Sequence, residues 1–211
     1  MRILFFGDSI TDAQRDRAHD FCPHGLGTGF VNAVASTLLY ENPERYEIIN
    51  RGIGGNRIVD LYSRIKCDCW NLNPDIISIL IGVNDVWHEV LSGNGVELDR
   101  FEKVYRMIIE DTKKALPNAK LIICEPFVLK GRATEERYDD FLSVKQYAKI
   151  CKDLATEYNI PFVELQKPIE DFNQNHAEGI CLYDGVHPNI AGAHIIASEW
   201  LKTFKTKVDK Q

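Results

Sequence analysis

Four short stretches of this chain hold residue types that could together do nucleophilic chemistry: "GDSITD" (Gly7–Asp12), "NRGIGGNR" (Asn50–Arg57), "IGVND" (Ile81–Asp85) and "DGVHP" (Asp184–Pro188). A serine hydroxyl is a poor nucleophile until a base takes its proton, and His187 is a candidate base for Ser9. Imidazole serves best when a carboxylate fixes its tautomer and steadies its charge, and Asp184 lies three residues upstream. Gly185 gives that short segment freedom and Pro188 gives it stiffness, so a tight turn can fold the two side chains together. A tetrahedral intermediate then needs donors aimed at its oxyanion. The Ser9 backbone N–H, a glycine N–H from "GIGG" and the Asn84 side-chain amide are the candidates.

Each piece taken alone has a plainer use. Ser9 could cap a helix, the glycines could turn the chain, Asn84 with Asp85 could start a helix, and Asp-Gly-x-His-Pro is a sound turn. Their placement is what matters. Short, continuously apolar runs at Ile3–Phe6, Tyr46–Asn50, Ile76–Ile81, Leu121–Cys124 and Phe162–Leu165 read as strands covered on both faces. Helix-period stretches lie between them, through Phe30, Val34 and Leu38, through Phe101 to Ile109, from about Asp139 to Tyr158, and from Ile190 to Leu201. Pro117 and Pro161 separate helix from strand. Such alternation implies a parallel sheet with helices on both faces, in which ligands bind at the carboxyl ends of the strands. Three of the four stretches follow a strand candidate, and the fourth precedes the last helix.

With all four in place, the chain resembles the SGNH hydrolases, also called the GDSL esterase/lipase family. "GDSI" is similar to the first block, with isoleucine for the common leucine; "GVND" and "DGVH" match two others, and Gly55 fits the glycine of the remaining block, with Gly54 as the register alternative. The resemblance implies a flavodoxin-like three-layer α/β/α sandwich with a five-stranded parallel sheet. It also implies metal-independent ester hydrolysis, with Ser9 as nucleophile, His187 as base, Asp184 orienting it, and Ser9, Gly55 and Asn84 forming the oxyanion hole. No cofactor is expected. Asp8, Trp87 and His88 are candidates to line the pocket. The pattern "GDSITD…GLGTGFV…NRGIGGNR…IGVNDVW" is similar to the family's carbohydrate acetylesterase branch, so the expected substrate is a short acyl, O-acetyl, ester on a sugar, a small molecule or an oligosaccharide. A lysophospholipase or acyl thioesterase is the runner-up. From another class, an FMN-binding electron carrier could use "GDSITD" as a phosphate cradle.

Length and composition narrow the field. The 211 residues suit one domain, 1–211, and 45% apolar with 27% charged residues is the balance of a soluble globular protein. A net charge of −6 with no basic stripe argues against nucleic acid as a partner. No apolar run approaches the ~20 residues that span a bilayer, so no stable membrane association is expected. The first residues read as a strand rather than a signal peptide, and the expected location is cytoplasmic. The six cysteines lack paired zinc-site spacing and read as small buried or half-buried thiols. The stretch after the fourth strand, "EPFVLKGRATEERYDDF", is long and charged, and is expected to make that side of the site polar.

Overall fold

The computed structural model describes residues 1–19 and 22–209. Five strands, β1 (Arg2–Gly7), β2 (Glu47–Gly52), β3 (Ile76–Leu80), β4 (Lys120–Cys124) and β5 (Phe162–Val163), form one parallel sheet in the order β2-β1-β3-β4-β5. The helices are α1 (Ser9–Asp12), α2 (Phe30–Glu41), α3 (Ile58–Asp68), α4 (Val83–Ser92), α5 (Leu98–Ala115), α6 (Tyr138–Phe141), α7 (Val144–Glu157), α8 (Gln166–Gln174) and α9 (Ile190–Thr203). Helices α2 and α9 pack together, and α3, α5 and α7 form a second set. Successive strand residues point to opposite faces, and Phe5 and Phe6 show it. The Phe5 ring meets Phe30 of α2 and Trp200 of α9, with centroids 5.6 Å and 5.0 Å away, while Phe6 lies under the Arg64 guanidinium of α3. Both phenylalanines are fully buried, each worth about 1.5–3 kcal/mol relative to exposure.

The strands form where the apolar runs predict, with one informative difference. The expected Phe162–Leu165 strand stops at Val163. The Leu165 and Gln166 N–H groups donate to the Glu125 carboxylate, at 2.7 Å and 2.9 Å, instead of to a neighbouring strand. The helix expected from Asp139 to Tyr158 is broken into α6 and α7. At the break the Ser143 hydroxyl donates to the Asp140 carbonyl at 2.7 Å, and the Lys145 and Gln146 N–H groups bond three residues back, a tighter turn than an α-helix. Helices α3 and α8 fall outside the expected helical stretches; α3 buries Ile58, Leu61 and Ile65 at helical spacing, and α8 buries Ile169 alone. All six cysteines are free; Cys69, Cys124, Cys151 and Cys181 are buried and Cys22 is half-buried, but Cys67 is exposed on the last turn of α3.

The stretch after β4 differs most from expectation. Its apolar residues Phe127, Val128 and Leu129 are buried, while Lys130, Arg132, Glu135 and Glu136 face solvent. The segment loops under the Asp184–Pro188 turn: the Leu129 N–H donates to the Gly185 carbonyl at 2.8 Å and the Ala133 N–H to the Asp184 carbonyl at 2.9 Å. The buried Thr134 hydroxyl donates to the Leu129 carbonyl at 2.8 Å and accepts from the Gly131 N–H at 3.0 Å, closing the loop on itself. The segment thus supports the turn from its buried side, while its charged residues Lys130, Glu135 and Glu136 line a separate surface hollow.

Gly131 touches the turn backbone to backbone, and a Cβ there would stand 2.5 Å from the Gly185 nitrogen. Gly131→Ala should therefore destabilise the protein by roughly 1–3 kcal/mol, lowering Tm by about 2–10 °C. Because the displaced element carries Asp184 and His187, kcat on any ester should fall with it; a thermal melt and an ester assay of the one variant check both.

Candidate functional site

Ser9 is the first residue of α1, a single turn set on the end of the sheet. Asp8 caps that turn, its Oδ1 accepting the Ile10 N–H at 3.0 Å. The turn lies directly on the end of β2: a Cβ on Gly52 would stand 2.1 Å from the Asp12 nitrogen. The buried Asn50 amide donates to the carbonyls of Thr11 and Leu26, at 2.6 Å and 2.9 Å, tying α1 to the segment before α2. The sheet thus presents Ser9, half-buried, at its carboxyl edge.

Residues 178 positions apart meet there. The Ser9 Oγ lies 2.8 Å from His187 Nε2, and His187 Nδ1 lies 2.7 Å from Asp184 Oδ2. The other oxygen, Asp184 Oδ1, accepts the backbone N–H groups of Val186 and His187 at 3.0 Å and 2.8 Å. Gly185 takes φ +98, a left-handed conformation open to glycine, to close the turn. Burial works to raise the Asp184 pKa, but these hydrogen bonds prevail and hold it below the usual carboxylate range. The bond to Asp184 raises the His187 pKa above its ordinary 6.5, against partial burial, and the charges of Asp184 and Asp8 add to the effect.

The candidate oxyanion donors gather at the same edge. Asn84, 6% exposed, sits in the first turn of α4. One of its amide N–H groups donates to the Asn56 carbonyl at 3.1 Å, which orients the amide and leaves its second N–H for a ligand. Of the two glycines, Gly54 is nearer the serine: a Cβ there would stand 3.7 Å from Ser9 Cβ. Its N–H, however, donates to Asp12 Oδ2 at 3.1 Å. Gly55 follows with φ +81, and the nearest neighbour of a Cβ built on it is His88 Nε2, at 4.0 Å. Trp87 rests its ring against His187, centroids 5.7 Å apart, and against Phe141. Trp87 and His88 are thus brought to the site. Asp8 is not on a pocket wall: it is 1% exposed and lies beneath the nucleophile.

Asp8 shares that depth with a second carboxyl. Burial pushes the Asp8 pKa up to about 7, against the bond from Ile10 and the nearby His187, and its Oδ2 has no hydrogen-bond partner. Burial likewise pushes Asp85 up to about 7, although it accepts the Ile58 N–H at the start of α3, and Asp8 adds to the rise. A cleft of about 330 Å³ opens from Ser9 and His187 between Tyr183 and the Ala13–Gln14 segment. Among the described residues, no group of three or more His, Cys, Asp or Glu side chains is arranged to hold a metal ion. None of the described helices is long and apolar enough to cross a membrane.

Sequence reading overlooked four contributors. Gly131 and Thr134 support the turn from a loop that looked merely charged, and Tyr183 stacks on His187 with centroids 5.6 Å apart. Gln14 takes φ +61, which no pattern announces. Of these, only Tyr183 had a local signal, its position directly before "DGVHP".

The fold and this edge define an α/β protein with a serine–histidine–aspartate relay at the carboxyl ends of its parallel strands. The chain belongs to the GDSL-like lipase/acylhydrolase family, whose model matches residues 5–195, and it is therefore placed among hydrolases of the esterase class. It is 33% identical over 207 residues to an acetylxylan esterase of Geobacillus stearothermophilus, covering 95% of this chain and 92% of that one. The crystal structure of Axe2, an acetylxylan esterase of the same organism, superposes with a TM-score of 0.87 at 32% identity, covering 100% of this chain and 97% of the other. A protein of Parabacteroides merdae described as a GDSL-like lipase superposes with a TM-score of 0.89 at 36% identity over 96% of this chain and 94% of that one. Catalytic mutants of Axe2 replace a serine, an aspartate and a histidine, the last two three positions apart.

The buried Asp8 carboxyl makes stability depend on pH. Its pKa is about 7 in the folded protein and an ordinary 3.8 when unfolded, so the folded state holds the proton more tightly. That contribution is complete below pH 3.8 and is lost as pH rises through about 7. Asp8→Asn keeps a capping side chain without the ionisation. The variant should melt near wild type at pH 4 and clearly above it at pH 8, as paired melting curves would read.

Proposed function

We propose that this protein is a serine esterase that removes short acyl groups, O-acetyl above all, from carbohydrate through an acyl-enzyme. The observation that carries the reading is the continuous relay from Ser9 Oγ through His187 to Asp184, with both links under 3 Å. His187 Nε2 takes the Ser9 proton as Oγ attacks the ester carbonyl, and Asp184, kept ionised, holds Nδ1–H in place and stabilises the imidazolium. The oxyanion is received by the N–H groups of Ser9 and Gly55 and the open amide N–H of Asn84. The choice of Gly55 over Gly54 is supported by the bond that occupies Gly54. His187 then returns the proton to the departing alcohol, and a water repeats the sequence to free the acid. The oxyanion donors and the base are groups of the chain and the deacylating proton comes from water, so the scheme calls for no metal.

The acetyl and carbohydrate parts of the reading are supported by the likeness to acetylxylan esterases over nearly the whole chain. The electron-carrier alternative is opposed by Asp8. A phosphate cradle would offer the first N–H groups of α1 to an anion, whereas here a buried carboxyl accepts one of them.

The test is release of acetate from acetylated xylo-oligosaccharides, run beside p-nitrophenyl esters from acetyl to dodecanoyl and a lysophospholipid. Acetyl should be preferred, with kcat/KM falling tenfold or more by about six carbons, since a methylene gains only about 0.8 kcal/mol by burial but costs roughly 1–3 kcal/mol when forced into a closed pocket. Trp87→Ala should widen the acyl range towards longer chains. A wild-type optimum at octanoyl or beyond would instead favour the lysophospholipase or thioesterase reading. Ser9→Ala should retain only about 10⁻⁵ to 10⁻⁶ of wild-type kcat; more than a tenth of the activity would remove Ser9 from its role. EDTA should leave the wild-type rate unchanged.

His187 must be neutral to act as base, and its pKa lies above 6.5, so kcat/KM should rise with pH through a limb centred above that value. Asp184→Asn removes the interactions that raise it. The limb should move to lower pH and kcat fall by about 10⁴-fold. A limb that stays in place in this variant would show that another group titrates.

A further inference from the structure

The cleft at Ser9 has two walls of unlike chemistry. On one, Tyr183 is 49% exposed and stacks on the His187 ring with 16° between the planes. On the other, Ala13 and Gln14 take φ +43 and +61, two consecutive left-handed residues that are not glycine. Such backbone is unfavourable for L-residues and persists only where the surroundings enforce it. Here the Ala13 N–H donates to the Ser9 carbonyl at 2.9 Å, and the Ala13 carbonyl accepts both the N–H and the hydroxyl of Thr28, at 2.9 Å and 3.1 Å. The reversal sets the exposed Gln14 on the rim of the cleft instead of letting α1 run on. Glycine would take that conformation without strain; a long carboxamide stands there.

We propose that Tyr183 and Gln14 form the subsite for the sugar ring that carries the ester, an inference that rests on the carbohydrate-ester reading above. The departing alcohol receives its proton from His187 Nε2, so its carbon skeleton must lie beside that imidazole. Tyr183 is the exposed aromatic stacked on it. A pyranose has an apolar C–H face, which suits an aromatic ring, and a rim of hydroxyls that both donate and accept hydrogen bonds. A carboxamide offers both functions. The leaving alcohol of a lysophospholipid and the leaving thiol of an acyl thioester join the ester through flexible chains and offer no C–H ring face for Tyr183 to stack on.

The experiment compares an acetylated xylo-oligosaccharide with ethyl acetate, which has no ring to stack. Tyr183→Ala should raise KM for the saccharide by about tenfold, the loss of roughly one ring contact. Its acid limb should stay in place and its loss on ethyl acetate should be several-fold smaller than its loss on the saccharide, and Tyr183→Phe and Tyr183→Trp should restore saccharide KM. Gln14→Gly should raise saccharide KM as Gln14→Ala does, while melting no lower than wild type, because the side chain serves the ligand and not the fold. Three results would overturn the proposal: an unchanged saccharide KM in Tyr183→Ala, an equal loss on ethyl acetate or a displaced acid limb, which would make Tyr183 a positioning residue for His187, or a lowered Tm in Gln14→Gly. Wild-type protein that cleaves ethyl acetate but no acetylated saccharide would overturn the carbohydrate reading itself, before any variant is made.

Discussion

The Asp184 carboxylate accepts three N–H groups at once: two from the backbone that follows it and one from the imidazole it faces. The backbone bonds shape the turn, and the ring bond sets the direction in which His187 Nε2 points. Charge-assisted bonds of this kind are roughly twice as strong as neutral ones and lose strength steeply with misalignment. A small displacement of the turn would therefore loosen the histidine and the geometry of Ser9 attack together. The rest of the C-terminal segment is arranged around that demand. The loop after β4 bonds to the carbonyls of Asp184 and Gly185 from below, and Leu182 bridges to Pro188 across the base of the turn.

The opposite partner is held by different physics. Ser9 rides on one helical turn, and a single turn has little stability of its own. Its position comes from contact with the strand ends, the reach of Asn50 to Thr11 and the Asp8 cap. The cap brings a buried carboxyl beside the nucleophile, near a second buried carboxyl at Asp85. In a low-dielectric site two such groups each resist ionisation, and each ionisation opposes the other. This arrangement holds the proton on Asp8 and Asp85 up to about pH 7, at the price of a stability that declines as pH rises through that value. Functional sites commonly hold such locally unfavourable groups, which the surrounding structure must offset.

Much of this was legible in the sequence because the signals were local. Apolar runs named the strands within a few residues, since burial on both faces leaves a chain little choice but continuous Ile, Leu and Phe. The relay residues stood out because an activated serine needs particular partners, and their places after strands and before the last helix were readable in order. Short spacing did the rest: Asp184 and His187 lie on one turn, and Gly185 makes that turn feasible. The end of β5 at Val163, the break between α6 and α7 and the support given by Gly131 and Thr134 were not legible. Each depends on a hydrogen bond or steric contact that no periodicity records, such as Glu125 taking the N–H groups that β5 would need.

Residue types and order determined by themselves which groups could act as nucleophile, base and acid, because the chemistry of a hydroxyl, an imidazole and a carboxylate is intrinsic to each side chain. Only the tertiary structure decided that Ser9 and His187 meet at 2.8 Å, that Gly54 spends its N–H on Asp12, that Asp8 is buried beneath the serine, and that Tyr183 and Gln14 share a cleft. Those are properties of distance and dielectric between segments far apart in the chain, and they come into being only when the sheet brings the ends of its strands together.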